Sequence, residues 1–221
     1  GEKVKQQKWK SKSFALLLAI MMIFTMMPQM AFADDTVAVP QEAGSASSAQ
    51  HVIVSTADQL ARWGGVDFTG TIELANDINM SDTAMEPIKS LNGTFEGNGY
   101  TISNLTLSGE AGTGYSAPNV GLALIARLSG TVQNLQMQNI SITSTSTGKI
   151  YAGAVVGIVE DADTVGKIIN CNASGKITLP KNATADYAGG LIGGVIQQAR
   201  CIIKNCVSDV DVASGTYLGG L

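Results

Sequence analysis

Ile168-Ile169-Asn170-Cys171 and Ile203-Lys204-Asn205-Cys206 are two copies of one phrase: a β-branched residue, a free position, Asn, then Leu or Cys. Two earlier copies are Ile102-Ser103-Asn104-Leu105 and Val132-Gln133-Asn134-Leu135, so the asparagines recur at intervals of 30, 36 and 35 residues. A second phrase runs beside it as Gly121-Leu122, Gly153-Ala154-Val155-Val156-Gly157, Gly189-Gly190-Leu191-Ile192-Gly193 and Gly219-Gly220-Leu221. Its first glycines are 32, 36 and 30 apart. Self-similarity at such a period marks a stacked-repeat architecture, in which one repeat cannot bury its apolar face without a neighbour.

Several repeat architectures share this period, and the residues within it choose among them. Helical repeats fail because no copy holds a segment of helical periodicity. Propeller blades need four antiparallel strands with hairpin turns, whereas each copy shows two or three short β runs. The copy over 151–186 gives strands at 152–159, 167–171 and 177–179, with loops at 160–166 and 180–186. It reads as one three-sided coil of a parallel β-helix, right-handed by the bias of parallel crossovers.

Stacked rungs lie about 4.8 Å apart, so equivalent residues meet their copies above and below. The reading places Ile102, Val132, Ile168 and Ile203 in one internal apolar stack. It places Asn104, Asn134, Asn170 and Asn205 at a corner, where Asn tolerates positive φ and its amide bonds to the next amide. The glycines allow close bends where a Cβ would clash.

Toward the N-terminus the pattern changes. His51-Val52-Ile53-Val54 reads as a first strand, and Ser55-Thr56-Ala57-Asp58 offers helix-capping side chains before Gln59–Trp63, with Gly64-Gly65 as the stop. This segment, 51–70, is expected to cap the open end of the stack, and 71–221 to form the coils. The second phrase has begun again at Leu221, which gives the expectation that further coils follow.

Residues 1–33 read as a cleaved secretory leader. Lys3, Lys5, Lys8, Lys10 and Lys12 form a basic head, 14–27 is an apolar run, and Ala31-Phe32-Ala33 supplies a small-residue cleavage site. Residues 34–50, rich in Ala and Ser, read as a disordered linker. Five of the 14 Lys and Arg and one of the 18 acidic residues lie in the leader, so the remainder carries 9 basic and 17 acidic groups, a net of −8. No basic stripe remains to track phosphates, which excludes nucleic acid as the expected partner.

The combination of Gly-Gly-Leu-Ile-Gly at 189–193 with Ile-x-Asn-Cys at 203–206 resembles the GLUG repeat of exported bacterial proteins. The stretch from Glu73 to Met80, with that from Gly93 to Leu105, is similar to the N-terminal coils that precede such repeats. The resemblance covers about residues 55–221. It implies a right-handed parallel β-helix in large surface proteins, some of them adhesin-like, and the repeat also occurs in immunoglobulin A peptidases. The copy at 121–125 departs from the pattern, with Leu-Ala-Leu-Ile in place of a closing Gly.

Candidate chemistry is sparse. Asp209 and Asp211 alternate on one strand, and Glu160, Asp161 and Asp163 share one loop, but no arginine partners either group in sequence, and the expected role is a solvated face. Asp161-Ala162-Asp163-Thr164 lacks the ligand count of a calcium loop. His51 is the sole imidazole and there is no CxxC pair, so no Cys/His metal site, cofactor or catalytic residue is assigned. Cys171 and Cys206 fall one coil apart and are read as stacked thiols in preference to a cross-link; Cys201 is the third cysteine. The sequons at Asn79, Asn104 and Asn182 are read as coincidental. The expectation is a non-catalytic stalk or adhesion scaffold outside the cell. Its partners would be a host or cell-surface glycan or protein, with envelope association through regions beyond Leu221. The alternative is the β-helix part of a polysaccharide-degrading enzyme or an accessory module of a surface peptidase.

Overall fold

The computed structural model describes residues 50–109, 120–145, 149–180, 186–213 and 217–220. The leader expected over 1–33 and the linker over 34–50 fall outside these, apart from Gln50, which opens the first strand. Among the described residues every strand pairing is parallel, and the strands form four sheets that serve as walls. Wall one stacks Gln50–Val54, Asp67–Leu74, Ser90–Glu96, Thr131–Gln133, Val165–Ile169 and Arg200–Lys204, in that order. Wall two contains Ile78–Asn79, Thr101–Ser103, Thr106–Gly109, Gln136–Ser144, Asn172–Thr178 and Val207–Ala213. Val120–Leu122, Ile150–Ala152, Asp186–Gly189 and Tyr217–Gly219 make wall three, and Ile125–Arg127, Val156–Val159 and Ile192–Val195 make wall four.

From residue 120 the chain visits walls three, four, one and two in turn and then repeats the circuit. A coil therefore has four strands, not the three expected. The expected strand 152–159 is two, Ile150–Ala152 and Val156–Val159, separated by a bend at 153–155. Every residue from Ile150 to Val159 is buried, so no alternation marks where one wall gives way to the next.

Alternation elsewhere builds the core. Val52, Ile72, Phe95, Val132, Ile168 and Ile203 are successive rung partners on the inner face of wall one. The first five are buried. Ile102 does not join this stack, contrary to expectation; it lies in wall two between Ile78 and Met137. The reason is that the 30-residue step is not a full coil: Met137 lies 35 residues after its rung partner Ile102, and Val132 lies 37 after Phe95. Gly70 and Gly93 are rung partners 23 residues apart, whereas Ile168 follows Val132 by 36 and precedes Ile203 by 35. The 30-residue step from Asn104 to Asn134 therefore changes walls. Gly121 is likewise displaced: its rung partner is Tyr151, while Gly189 pairs with Gly219.

All four phrase asparagines adopt positive φ, at 58°, 55°, 53° and 54° for Asn104, Asn134, Asn170 and Asn205. Their amides form two ladders. Between walls one and two, Asn205 Nδ2 donates to Asn170 Oδ1 at 3.1 Å and Asn170 Nδ2 to Asn134 Oδ1 at 3.0 Å. In wall two, Asn139 Nδ2 donates to Asn104 Oδ1 at 2.6 Å and Asn104 Nδ2 to Asn79 Oδ1 at 2.8 Å. The sequon residues Asn79 and Asn104 are thus rungs of a ladder. Replacing Asn170 with Leu should cost on the order of 1–3 kcal/mol, from two lost amide bonds and a branched side chain at positive φ. Asn170→Gly keeps the backbone conformation and should lose less. Thermal unfolding of both variants checks the order.

Between its first two rungs, wall one is joined by a helix, Ala57–Ala61. Thr56 Oγ1 accepts from Gln59 N at 3.3 Å, and Gln59 Oε1 accepts from Ser55 N at 2.7 Å, a reciprocal capping arrangement. Leu60 and Trp63 are buried, and the Trp63 ring meets Phe68 edge-on with centroids 5.0 Å apart.

Candidate functional site

Polar side chains concentrate on the outer face of wall one, where alternation turns every second residue away from the core. Glu73 and Glu96 are rung partners there. Asn98 Nδ2 donates to Glu73 Oε1 at 2.9 Å, and His51 Nε2 lies 2.7 Å from Glu73 Oε2. The Asn98 bond, followed by that of His51, holds the Glu73 carboxyl below its usual range. Glu96 accepts from Gln133 Nε2 at 2.6 Å, Asn134 Nδ2 at 2.9 Å and Asn98 N at 2.8 Å. It therefore closes the end of the Asn134–Asn170–Asn205 ladder, where no further amide is stacked.

Asp67 and Glu160 show the same habit, whereas Asp161, Asp209 and Asp211 do not. Asp67 accepts from Lys89 Nζ at 2.6 Å and from Ser90 Oγ at 2.7 Å. Partial burial pulls its carboxyl upward, but the Lys89 and Ser90 bonds outweigh that and hold it low. Glu160 does have an arginine, supplied by the preceding coil: Arg127 Nε lies 3.0 Å from its Oε1. Asp161 turns back on its own loop, accepting from Asp163 N at 2.9 Å and Thr164 Oγ1 at 3.1 Å. Asp209 and Asp211 lie exposed on wall two, opposite Ser174 and Lys176. The groups named from sequence are not brought together. Glu160 to Asp163 follow wall four, Asp209 and Asp211 lie on wall two, and His51 lies in the first strand of wall one. Among the described residues no group of three or more His, Cys, Asp or Glu side chains is arranged to hold a metal ion.

Sequence reasoning missed one feature. Tyr151, Tyr187 and Tyr217 are rung partners in wall three, and their rings stack with centroids 4.7 Å apart at both steps. Lys149 Nζ lies 5.3 Å and 5.5 Å from the centroids of Tyr151 and Tyr187. Its bond to Tyr151 raises the ammonium above its ordinary range. The signal was available: each tyrosine stands two residues before the first glycine of its phrase, in Tyr151-Ala152-Gly153, Tyr187-Ala188-Gly189 and Tyr217-Leu218-Gly219. Exposure increases along the row, from buried Tyr151 to Tyr217 at 55%.

All three cysteines are thiols in the structure. Cys171 N lies 3.4 Å from Cys206 Sγ, so the expected stacking across adjacent coils is present. Burial pushes the Cys171 and Cys201 thiols up to about 11.

These features define an all-β stack of parallel coils, β-helix-like, in which outer polar groups join rung to rung. The model of the GLUG motif matches residues 148–178, and the chain carries that repeat. They take in Ile150–Ala152, Val156–Val159, Val165–Ile169 and Asn172–Thr178, one complete four-walled coil. Over 110 residues the chain is 38% identical to halomucin from Haloquadratum walsbyi, a match covering half of this chain and 1% of that protein. A crystal structure from Bacteroides ovatus, described as a candidate immunoglobulin A1 protease, shares the fold with a TM-score of 0.52 at 21% identity. That match covers 76% of this chain and 49% of the other.

Proposed function

We propose that this chain is an exported, non-catalytic module of a bacterial cell-surface protein. In this reading it is a right-handed β-helix that acts as a stalk or adhesion scaffold. The observation that carries the proposal is where the carboxylates go. Glu73, Glu96 and Glu160 each bind side chains of a neighbouring coil, at 2.6 to 3.0 Å. Carboxylates committed to holding coils together serve rigidity, and rigidity is what a stalk requires. The GLUG repeat and the likeness to halomucin support an extracellular setting. The helix Ala57–Ala61 serves as the N-terminal cap in this reading, covering the first coil with Leu60 and Trp63. Ligand contacts, to a host or cell-surface glycan or protein, fall on the outward faces and the loops between walls.

A second reading takes its motive from the Bacteroides ovatus fold likeness: the module accompanies a surface peptidase or a polysaccharide-degrading domain. The purified chain, assayed against polysaccharides and immunoglobulin substrates, should show no turnover above buffer. Turnover lost in Asp209→Asn/Asp211→Asn, or in Glu73→Gln, would overturn the first reading.

A further inference from the structure

We propose that Cys171 and Cys206 form an oxidation site that links two adjacent coils by a disulfide. The geometry carries it. Cys171 Sγ sits 3.7 Å from Val132 O, and Cys206 Sγ sits 3.4 Å from Ile168 O. Val132 and Ile168 are rung partners, so the two sulfurs occupy equivalent places one rung apart. Cys206 Sγ also lies 3.4 Å from the backbone N of Cys171, directly over that residue. Rungs about 4.8 Å apart fall inside the window of about 4.4–6.8 Å between Cα atoms that a disulfide accepts. Cys201 is the rung partner of Gly166, not of a cysteine, and stands four residues before the corner at Asn205, about 13 Å of extended chain.

The linkage requires an external disulfide as oxidant, and an extracellular setting supplies that chemistry. Cys206, half-buried where Cys171 is fully buried, reacts first. Its thiolate attacks one sulfur of the external disulfide, expels one thiolate and leaves a mixed disulfide. Cys171 then loses its proton and attacks Cys206 Sγ, expelling the second small thiolate. Two protein S–H groups become one S–S bond, and the external disulfide becomes two thiols. Burial holds the Cys171 thiol at about 11, so the second step is slow at neutral pH and quickens as pH rises.

The test uses the full chain incubated with glutathione disulfide, followed by intact mass, peptide mapping without reduction and thermal unfolding. The expected result is a loss of two hydrogen atoms in mass and a crosslinked peptide joining Cys171 to Cys206. The unfolding midpoint should rise and return on reduction. Cys201→Ser should behave as the parent, and Cys206→Ser should lose the crosslink. Should Cys206→Ser not fold, the map of the parent chain decides alone. Stable glutathionylation of Cys206 without closure, a Cys201–Cys206 link, or three free thiols after prolonged oxidation at alkaline pH would each overturn the proposal.

Discussion

Gly93→Ala should cost at least about 4 kcal/mol, a large share of the stability of about 5–15 kcal/mol usual for a domain. Gly70 and Gly93 stand on successive rungs of wall one, at φ of +133° and +154°, and Gly130 continues the column. A Cβ on Gly93 would lie 2.0 Å from Gly70 O, and one on Gly130 the same distance from Gly93 O. No side-chain rotation relieves a clash between Cβ and backbone. The rungs would have to part, breaking the parallel hydrogen bonds along wall one. Gly99 offers the contrast. Its φ is +81°, but nothing lies within 4 Å of an added Cβ. Gly99→Ala should cost only about 1–2 kcal/mol, the conformational penalty alone. Denaturant unfolding of the two variants measures both; equal losses would show that crowding between rungs is not what the column provides.

Phe95→Ala is the second large effect, at about 3–5 kcal/mol. Phe95 is the largest member of the inner stack of wall one and has no exposed surface, enclosed by Ile72 below and Val132 above. Removing its ring leaves a cavity that rigid neighbouring rungs cannot close. Ile203, in the same stack, is 36% exposed, and Ile203→Ala should cost well under half as much. Unfolding midpoints compared across the two variants give the ratio.

The parts legible in the sequence are those governed by neighbours in the chain. Asn170 and Asn205 declare a corner because Asn tolerates positive φ better than most residues, and the structure places both there. The alternation around Ile168 declares an inner face, and Ile168 is buried. The bend inside 152–159 was not legible, because both sides of it are buried and alternation vanishes. The placement of Asn104 was not legible, because its phrase copies the one around Asn134 while its ladder partner is Asn139, 35 residues on. The Arg127–Glu160 pair and the bonds converging on Glu96 could not be read either. Arg127 lies 33 residues from Glu160, and Gln133 and Asn134 lie 37 and 38 from Glu96, so only the register of adjacent rungs brings them within bonding distance.

The sequence alone determined that the chain stacks, that its corners use Asn and Gly, and that Ile, Val and Leu face inward, since each follows from local backbone sterics and a two-residue period. Tertiary structure alone decided the number of walls, the register, and which polar side chains meet. Those depend on the lengths of loops whose composition says little about where they turn. The row formed by Tyr151, Tyr187 and Tyr217 shows both contributions: its spacing is written in the sequence, but the 4.7 Å contact between rings exists because parallel rungs repeat at that distance.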